Sequence, residues 1–340
     1  MTGITRLGSF PTFRLIDAPT PIQRLERVEA AVGLTGGTRL WVKRDDLGLG
    51  GGGNKLRKLE YLLGDALAQG CDTFVTTGGI QSNHARLSAA AAARAGLMCE
   101  LVLAHMVPRD DEEYRRSGNV LLDGIFGAKV HLVDGPDAWP FAEARAEELR
   151  GEALKPYLVG AGGSSPTGCL GYAGCAAEIA GQESEAGFSF ERIVVANGSS
   201  GTHAGLAAGF AAMGTDPSRV KSFTVLAPLD EARRATLDLA RRTLALLDPK
   251  ARIGPEGIDV AGGQRGEGYG IATGAMLEAV RLMARTEGLL LDPVYSGKAF
   301  AGFLADARQG APGDMLFVMT GGTPGLFAYR ADFERSGDPG

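Results

Sequence analysis

The sequence is poor in cysteine and histidine. Its four cysteines, Cys71, Cys99, Cys169 and Cys175, form no C-x-x-C pair. Its four histidines, His84, His105, His131 and His203, show no metal-ligand spacing. A zinc or other metal centre is therefore not expected. There is no excess of basic residues either: 35 Lys and Arg stand against 40 Asp and Glu, a net charge of -5. That balance offers no basic face to a nucleic acid. The opening Met1 to Phe10 has no basic stretch followed by an apolar one, so no signal peptide is read there. The most apolar stretches, such as Leu87 to Met98, contain arginine and are too short to span a bilayer. No membrane association is expected, and a reducing cytoplasm is the default compartment.

What is present is globular composition, 44% hydrophobic and 22% charged over 340 residues. At roughly 100–200 residues per domain, the length suggests two domains. Glycine is abundant, with 51 residues. It gathers between apolar runs: Gly50 to Gly53, Gly78-Gly79, Gly162-Gly163, Gly198 to Gly201, Gly262-Gly263 and Gly321-Gly322. One such cluster is turn punctuation, but six suggest backbone brought close to a ligand.

Hydrophobic periodicity alternates between strand and helix. Strands are predicted at 40–43, 74–77, 100–104, 129–133, 192–196, 222–226 and 315–319. Helices are predicted at 54–68, 83–95, 112–126, 140–150, 166–180, 202–213, 231–247, 274–287 and 297–308. This is an α/β pattern, with mainly parallel twisted sheets covered by helices. Ligands of such sheets sit at the carboxyl ends of strands. The informative loops are then Thr77 to Asn83, Asn197 to Thr202 and Thr320 to Pro324.

Three segments carry candidate chemistry. In Gly50 to Glu60 a glycine run feeds a helix whose first turn holds Lys55 and Lys58 on neighbouring parts of one face. Walker A fails because Asn54 precedes Lys55, and the G-x-G-x-x-G match is automatic in so dense a run. Taken alone, the segment also describes a capped helix with solvated lysines. Gln81 to Arg86 opens a helix whose free N–H groups suit a carboxylate, or simply a cap made by Ser82 or Asn83. Asn197 to His203 can wrap a phosphate with backbone N–H groups and hydroxyls, or form a plain β-α turn.

In order along the chain stand Gly-Asn-Lys-x-Arg-Lys-Leu-Glu, Gln-Ser-Asn-His-x-Arg, Ser-Gly-Thr-His-Ala-Gly, Gly-Glu-Gly-Tyr-Gly and Asp-Pro-Val-Tyr-Ser-Gly-Lys-Ala. Together they resemble the fold-type II pyridoxal 5′-phosphate (PLP) enzymes of the D-cysteine desulfhydrase and 1-aminocyclopropane-1-carboxylate (ACC) deaminase family, with L-cysteate sulfo-lyases sharing the pattern. The resemblance runs from Thr20-Pro21 to about Phe327. It implies a tryptophan synthase β-like fold: a small domain, 58–165, against a large PLP-binding domain of 1–57 and 166–340, with Lys55 in the cleft. It implies a homodimer. It implies that Lys55 holds PLP as a Schiff base, that Lys58, Ser199, Ser200, Gly201 and Thr202 hold the phosphate, and that Asn83 meets the ring hydroxyl. Ser82 would bind the carboxylate of a small amino-acid substrate, and Tyr269 and Tyr295 would face it as acid, base or positioning groups. His84 and His203 would support loops.

One departure bears on the reaction. ACC deaminases carry glutamate after the second tyrosine and leucine before the last glycine pair, whereas here those places hold Ser296 and Thr320. Both hydroxyls could meet the pyridine nitrogen, where a carboxylate would favour its protonated form more strongly. Loss of a good β-leaving group tolerates the weaker electron sink better than opening a cyclopropane does. The expected activity is therefore D-cysteine desulfhydrase. L-Cysteate sulfo-lyase, which would need a cation or more hydroxyls near the β-substituent, follows, then ACC deaminase, then amino-acid racemisation or dehydration, and a non-catalytic PLP-binding protein is the alternative from another class.

Overall fold

The computed structural model describes residues 3–34, 37–310 and 313–335. The outer ends of the expected large domain, 1–2 and 336–340, lie outside the described residues. Among the described residues ten strands run in chain order: β1 Ile22–Arg24, β2 Arg39–Lys43, β3 Thr73–Gly79, β4 Met98–His105, β5 Lys129–Asp134, β6 Pro156–Val159, β7 Arg192–Asn197, β8 Val220–Thr224, β9 Asp259–Ala261 and β10 Asp314–Val318. They divide into two sheets, one ordered β1-β2-β10-β7-β8-β9 and one ordered β5-β4-β3-β6. Every pairing is parallel except β1 with β2.

Central strands such as β10 (DMLFV) are buried along their whole length. A strand covered by helices on both faces needs apolar groups on both, so it reads as a continuous apolar run rather than an alternation. In the six-stranded sheet, Phe317 of β10 lies opposite Val42 and Val194. Its ring meets Phe300 edge-on at 5.1 Å. Burial of each such side chain contributes about 1.5–3 kcal/mol.

Glycines set the helix spacing around the site. The helix Pro166–Ala186 packs against Lys55–Ala68 so closely that a Cβ at Gly171 would lie 2.0 Å from the Arg57 carbonyl oxygen. On its other side, a Cβ at Gly205 of the helix Gly201–Ala212 would lie 2.4 Å from the Cys169 oxygen. The helix carrying Lys55 and the helix opened by the 199–202 loop are thus held to one scaffold.

Two expectations on local structure need correction. The helix predicted at 112–126 is two, Glu112–Arg116 and Gly118–Ile125, broken at Ser117. Gly118 has φ +59°, and any Cβ there would press on Pro324 O and Gln81 Oε1. Gln81 Nε2 donates to the carbonyls of Tyr114 and Ser117, so a tertiary contact replaces the helical hydrogen bonds. The strands β1, β6 and β9 were not predicted: β1 and β9 hold three residues each, too few to show a period, and β6 (PYLV) opens on a proline, which reads as a turn. Among the described residues, no helix is long and apolar enough to cross a membrane.

Candidate active site

The approach to Lys55 is a run of four glycines in the left-handed region, with φ of 62°, 82°, 69° and 136° at Gly50 to Gly53. Gly52 cannot be replaced there, since a Cβ would lie 1.8 Å from the Asp46 oxygen. From beneath the run, the fully buried Arg86 donates Nη2 to Gly52 O at 2.8 Å. The loop delivers Asn54, which ties three motifs together. Its N–H donates to Thr320 O, its Nδ2 to Thr202 Oγ1 at 2.9 Å, and its Oδ1 accepts from Lys55 Nζ at 2.9 Å. Lys55 Nζ sits 5.8 Å from the centre of the Tyr295 ring. Burial, with help from the Lys58 charge, lowers the Lys55 pKa to about 7, against the pull of Asp292. A large share of Lys55 is therefore an unprotonated nucleophile at neutral pH.

One helical turn on, Lys58 is buried and donates to Gly162 O at 3.0 Å and to Ser164 Oγ at 2.9 Å. Ser164 Oγ in turn meets Ser199 Oγ at 2.8 Å. Ser200 adopts φ +65°, turning the backbone into the N-terminus of the helix Gly201–Ala212. Burial lowers the Lys58 pKa to about 8. The result is a concave cluster of an ammonium group, hydroxyls and helix N–H groups, which is anion-binding chemistry.

The opposite wall comes from the four-stranded sheet. Ser82 caps the helix Asn83–Ala95, its Oγ accepting from Ala85 N. Asn83 Oδ1 accepts from Asn119 Nδ2 at 2.9 Å. Tyr269 and Tyr295 share a hydroxyl–hydroxyl hydrogen bond of 2.5 Å. Burial raises the Tyr269 pKa to about 12 and raises that of Tyr295 well above the ordinary tyrosine value, so both phenols keep their protons at neutral pH. One cavity is lined by Lys55, Lys58, Ser82, Asn83, Ser199, Ser200, Gly201, Thr202, Tyr269, Tyr295 and Thr320. Ser296 does not line it. Its hydroxyl donates to Asp292 Oδ1 at 2.6 Å and accepts from Asp292 N at 2.8 Å. His84 meets Thr76 Oγ1 and His203 meets Ser222 Oγ, and burial pushes both imidazole pKa values down, so both are held neutral.

The chain is similar to known proteins over nearly its whole length. The sequence family described as pyridoxal-phosphate dependent enzyme matches residues 14–321. A 1-aminocyclopropane-1-carboxylate deaminase of Burkholderia ambifaria is 43% identical, over 97% of this chain and 99% of its own. One of a Methylobacterium species is 41% identical, over 96% and 99%. A solved structure described as an ACC deaminase homologue superposes with a TM-score of 0.88 at 38% identity, covering 98% of each chain. The chain is a pyridoxal-phosphate dependent enzyme of the ACC deaminase family. A threonine deaminase structure at 19% identity and a TM-score of 0.64 shares the fold.

The cavity of this family member fits the cofactor on its own chemistry. Among the described residues, Lys58 Nζ donates to the carbonyl oxygen of Gly162 and to the Ser164 hydroxyl, and to no carboxylate. A buried ammonium without a countercharge is costly, and a phosphate beside it supplies that charge. The absence of a side chain at Gly201 keeps the space open, since a Cβ there would lie 2.5 Å from Ser164 Oγ and 2.6 Å from Lys58 Nζ. Asn54, Gly162 and Ser164 belong to the same cradle and were not among the residues expected from sequence. A signal for the last two existed: the Gly162-Gly163 pair was noted, but β6 before it was not, so the loop was not placed at a strand end. Met106, Ala161 and Leu226 also line the cavity, and no motif points to them.

Proposed function

We propose that this enzyme eliminates the β-substituent of a small amino acid, with D-cysteine as preferred substrate and pyruvate, ammonia and sulfide as products. The observation that carries the choice is the lining left to the substrate: Thr320 stands at the cavity while Ser296 is bonded to Asp292, no acidic or arginine side chain is among the lining residues, and the two lysines there, Lys55 and Lys58, are taken by the cofactor in this reading. With both lysines so taken, the remaining lining suits a thiol leaving group, whereas a sulfonate calls for a cation or more hydroxyls. Arg57 is committed to Asp45 and Glu178, Arg86 to the glycine loop, and Arg115 to Asp110.

When bound, PLP supplies the electron sink for the reaction. In this reading Lys55 would carry the cofactor until the substrate amine displaces it, Lys58 with Ser199, Ser200, Gly201 and Thr202 would hold its phosphate, and Asn83 would meet its ring hydroxyl. Ser82 orients the substrate carboxylate. Lys55, once displaced and neutral in part at pH 7, takes the proton from the substrate Cα. The Cβ–S bond breaks with its electron pair on sulfur, and the Tyr269–Tyr295 pair hands sulfur a proton. Water then releases pyruvate and ammonia. The reading also carries a homodimer, a cytoplasmic location and the division into 58–165 and the remainder. A monomer by light scattering at every concentration would remove the first of these.

ACC deamination is the second reading, favoured by the names of the relatives. A pyruvate assay across D-cysteine, L-cysteate, ACC, D-serine and β-chloro-D-alanine decides. The expected order puts D-cysteine first in kcat/KM. ACC ahead of both D-cysteine and L-cysteate would overturn the proposal, and spectral change without pyruvate from any of them would indicate a binding protein.

A further inference from the structure

The two walls of the cavity belong to different sheets, and the contacts outside the cavity that join them include one through Arg109. The loop after β4 carries Met106, which lines the cavity, then Val107 and Arg109. The Arg109 guanidinium lies 4.5 Å over the Tyr329 ring and 5.6 Å from the Tyr114 ring. It pairs with Asp111 at 3.1 Å and with Asp332 beyond β10. Tyr329 is 1% exposed, and its hydroxyl donates to Gly270 O at 2.8 Å. Gly270 follows Tyr269 directly, has φ +71°, and leaves no room for a side chain, since a Cβ would lie 2.5 Å from Val107 Cγ2. A continuous path thus runs from the loop after β4, through Arg109 and Tyr329, to the backbone beside Tyr269.

We propose that Arg109 and Tyr329 are positioning residues that latch the β4 loop to the C-terminal segment and so hold the Tyr269 hydroxyl in its place against Tyr295. Stacked guanidinium and ring give the latch its orientation, because a planar guanidinium over an aromatic face resists rotation in a way an ammonium does not. The Tyr329 hydroxyl gives it reach, fixing the carbonyl that sets the peptide after Tyr269. The Tyr269–Tyr295 hydrogen bond tolerates little displacement, so a loosened Gly270 costs rate rather than cofactor.

The inference rests on the reading of Tyr269 as a substrate-facing group, and a double-mutant cycle on the holoenzyme separates the two. Tyr329→Phe keeps the ring over Arg109 and removes only the hydroxyl. With the best substrate of the panel above, it is expected to lower kcat by about tenfold with KM little changed, the scale of coupling within one hydrogen-bonded network. In a Tyr269→Phe background the same change is expected to cost almost nothing, because the group being positioned has gone. Arg109→Lys, which keeps the charge, should behave like Tyr329→Phe, and every variant should retain the wild-type cofactor stoichiometry and spectrum. Equal effects of Tyr329→Phe in both backgrounds, or no effect on kcat beside a lowered Tm, would overturn the inference while leaving Tyr269 in its role. Wild-type turnover in Tyr269→Phe alone would overturn both.

Discussion

Gly201→Ala is the most direct probe of the proposed phosphate cradle. The new methyl carbon would stand 2.6 Å from Lys58 Nζ and 2.5 Å from Ser164 Oγ. Ordinary contacts lie near 3.5 Å, so each partner must retreat by about 1 Å. Lys58 cannot retreat freely, being buried and bonded to Gly162 O and Ser164 Oγ. The expected loss is one charge-assisted hydrogen bond to the cofactor phosphate, about 1.5–3 kcal/mol. That corresponds to a roughly 10–150-fold weaker PLP affinity. Equilibrium dialysis with PLP measures it, with Gly181→Ala as control. Gly181 lies in the helix Pro166–Ala186 with nothing within 4 Å of its added Cβ, so that change should leave affinity alone and stabilise by about 0.5–1 kcal/mol. Unchanged affinity in a folded Gly201→Ala protein would refute the assignment of the cradle.

Three further outcomes follow from Lys55 and from the electrostatics. The neutral amine is the form that attacks an aldehyde, so cofactor loading of the stripped protein should speed up through about pH 7, the lowered Lys55 value, rather than near the ordinary lysine value. In Lys55→Ala the borohydride-reducible linkage should vanish, and its persistence at full stoichiometry would mean that another lysine carries the cofactor. Asp123 is fully buried with neither carboxylate oxygen bonded, and burial raises its pKa to about 8 against a smaller opposing pull from Arg86. A carboxyl whose folded value is raised contributes stability below the unfolded value of about 3.9, and that contribution is lost as pH climbs towards 8. Asp123→Asn should therefore gain on the wild type in thermal unfolding as pH rises from 5 to 8, and an equal difference at both pH values would show that Asp123 does not titrate in that window.

Local sequence determined a good deal of this protein. The fold class was legible because a parallel α/β sheet writes continuous apolar runs for strands and a three-to-four residue period for helices, and both patterns are local. The glycine run before Lys55 was legible because positive φ leaves glycine little competition. The candidate site was legible only as separate segments, each with a bland alternative, and their order along the chain was what connected them. Tertiary structure decided the rest. Lys55 and Lys58 are ordinary amines until the packing of three helices through Gly171 and Gly205 buries them and lowers their pKa values. Ser296 and Thr320 looked equivalent as hydroxyls, yet one is spent on Asp292 and the other lines the cavity. The break at Ser117, the Asn54 contacts to Thr202 and Thr320, and the Arg109–Tyr329 latch join residues tens to hundreds of positions apart. Such contacts leave no periodicity behind, because their partners meet only when the sheets and helices have packed.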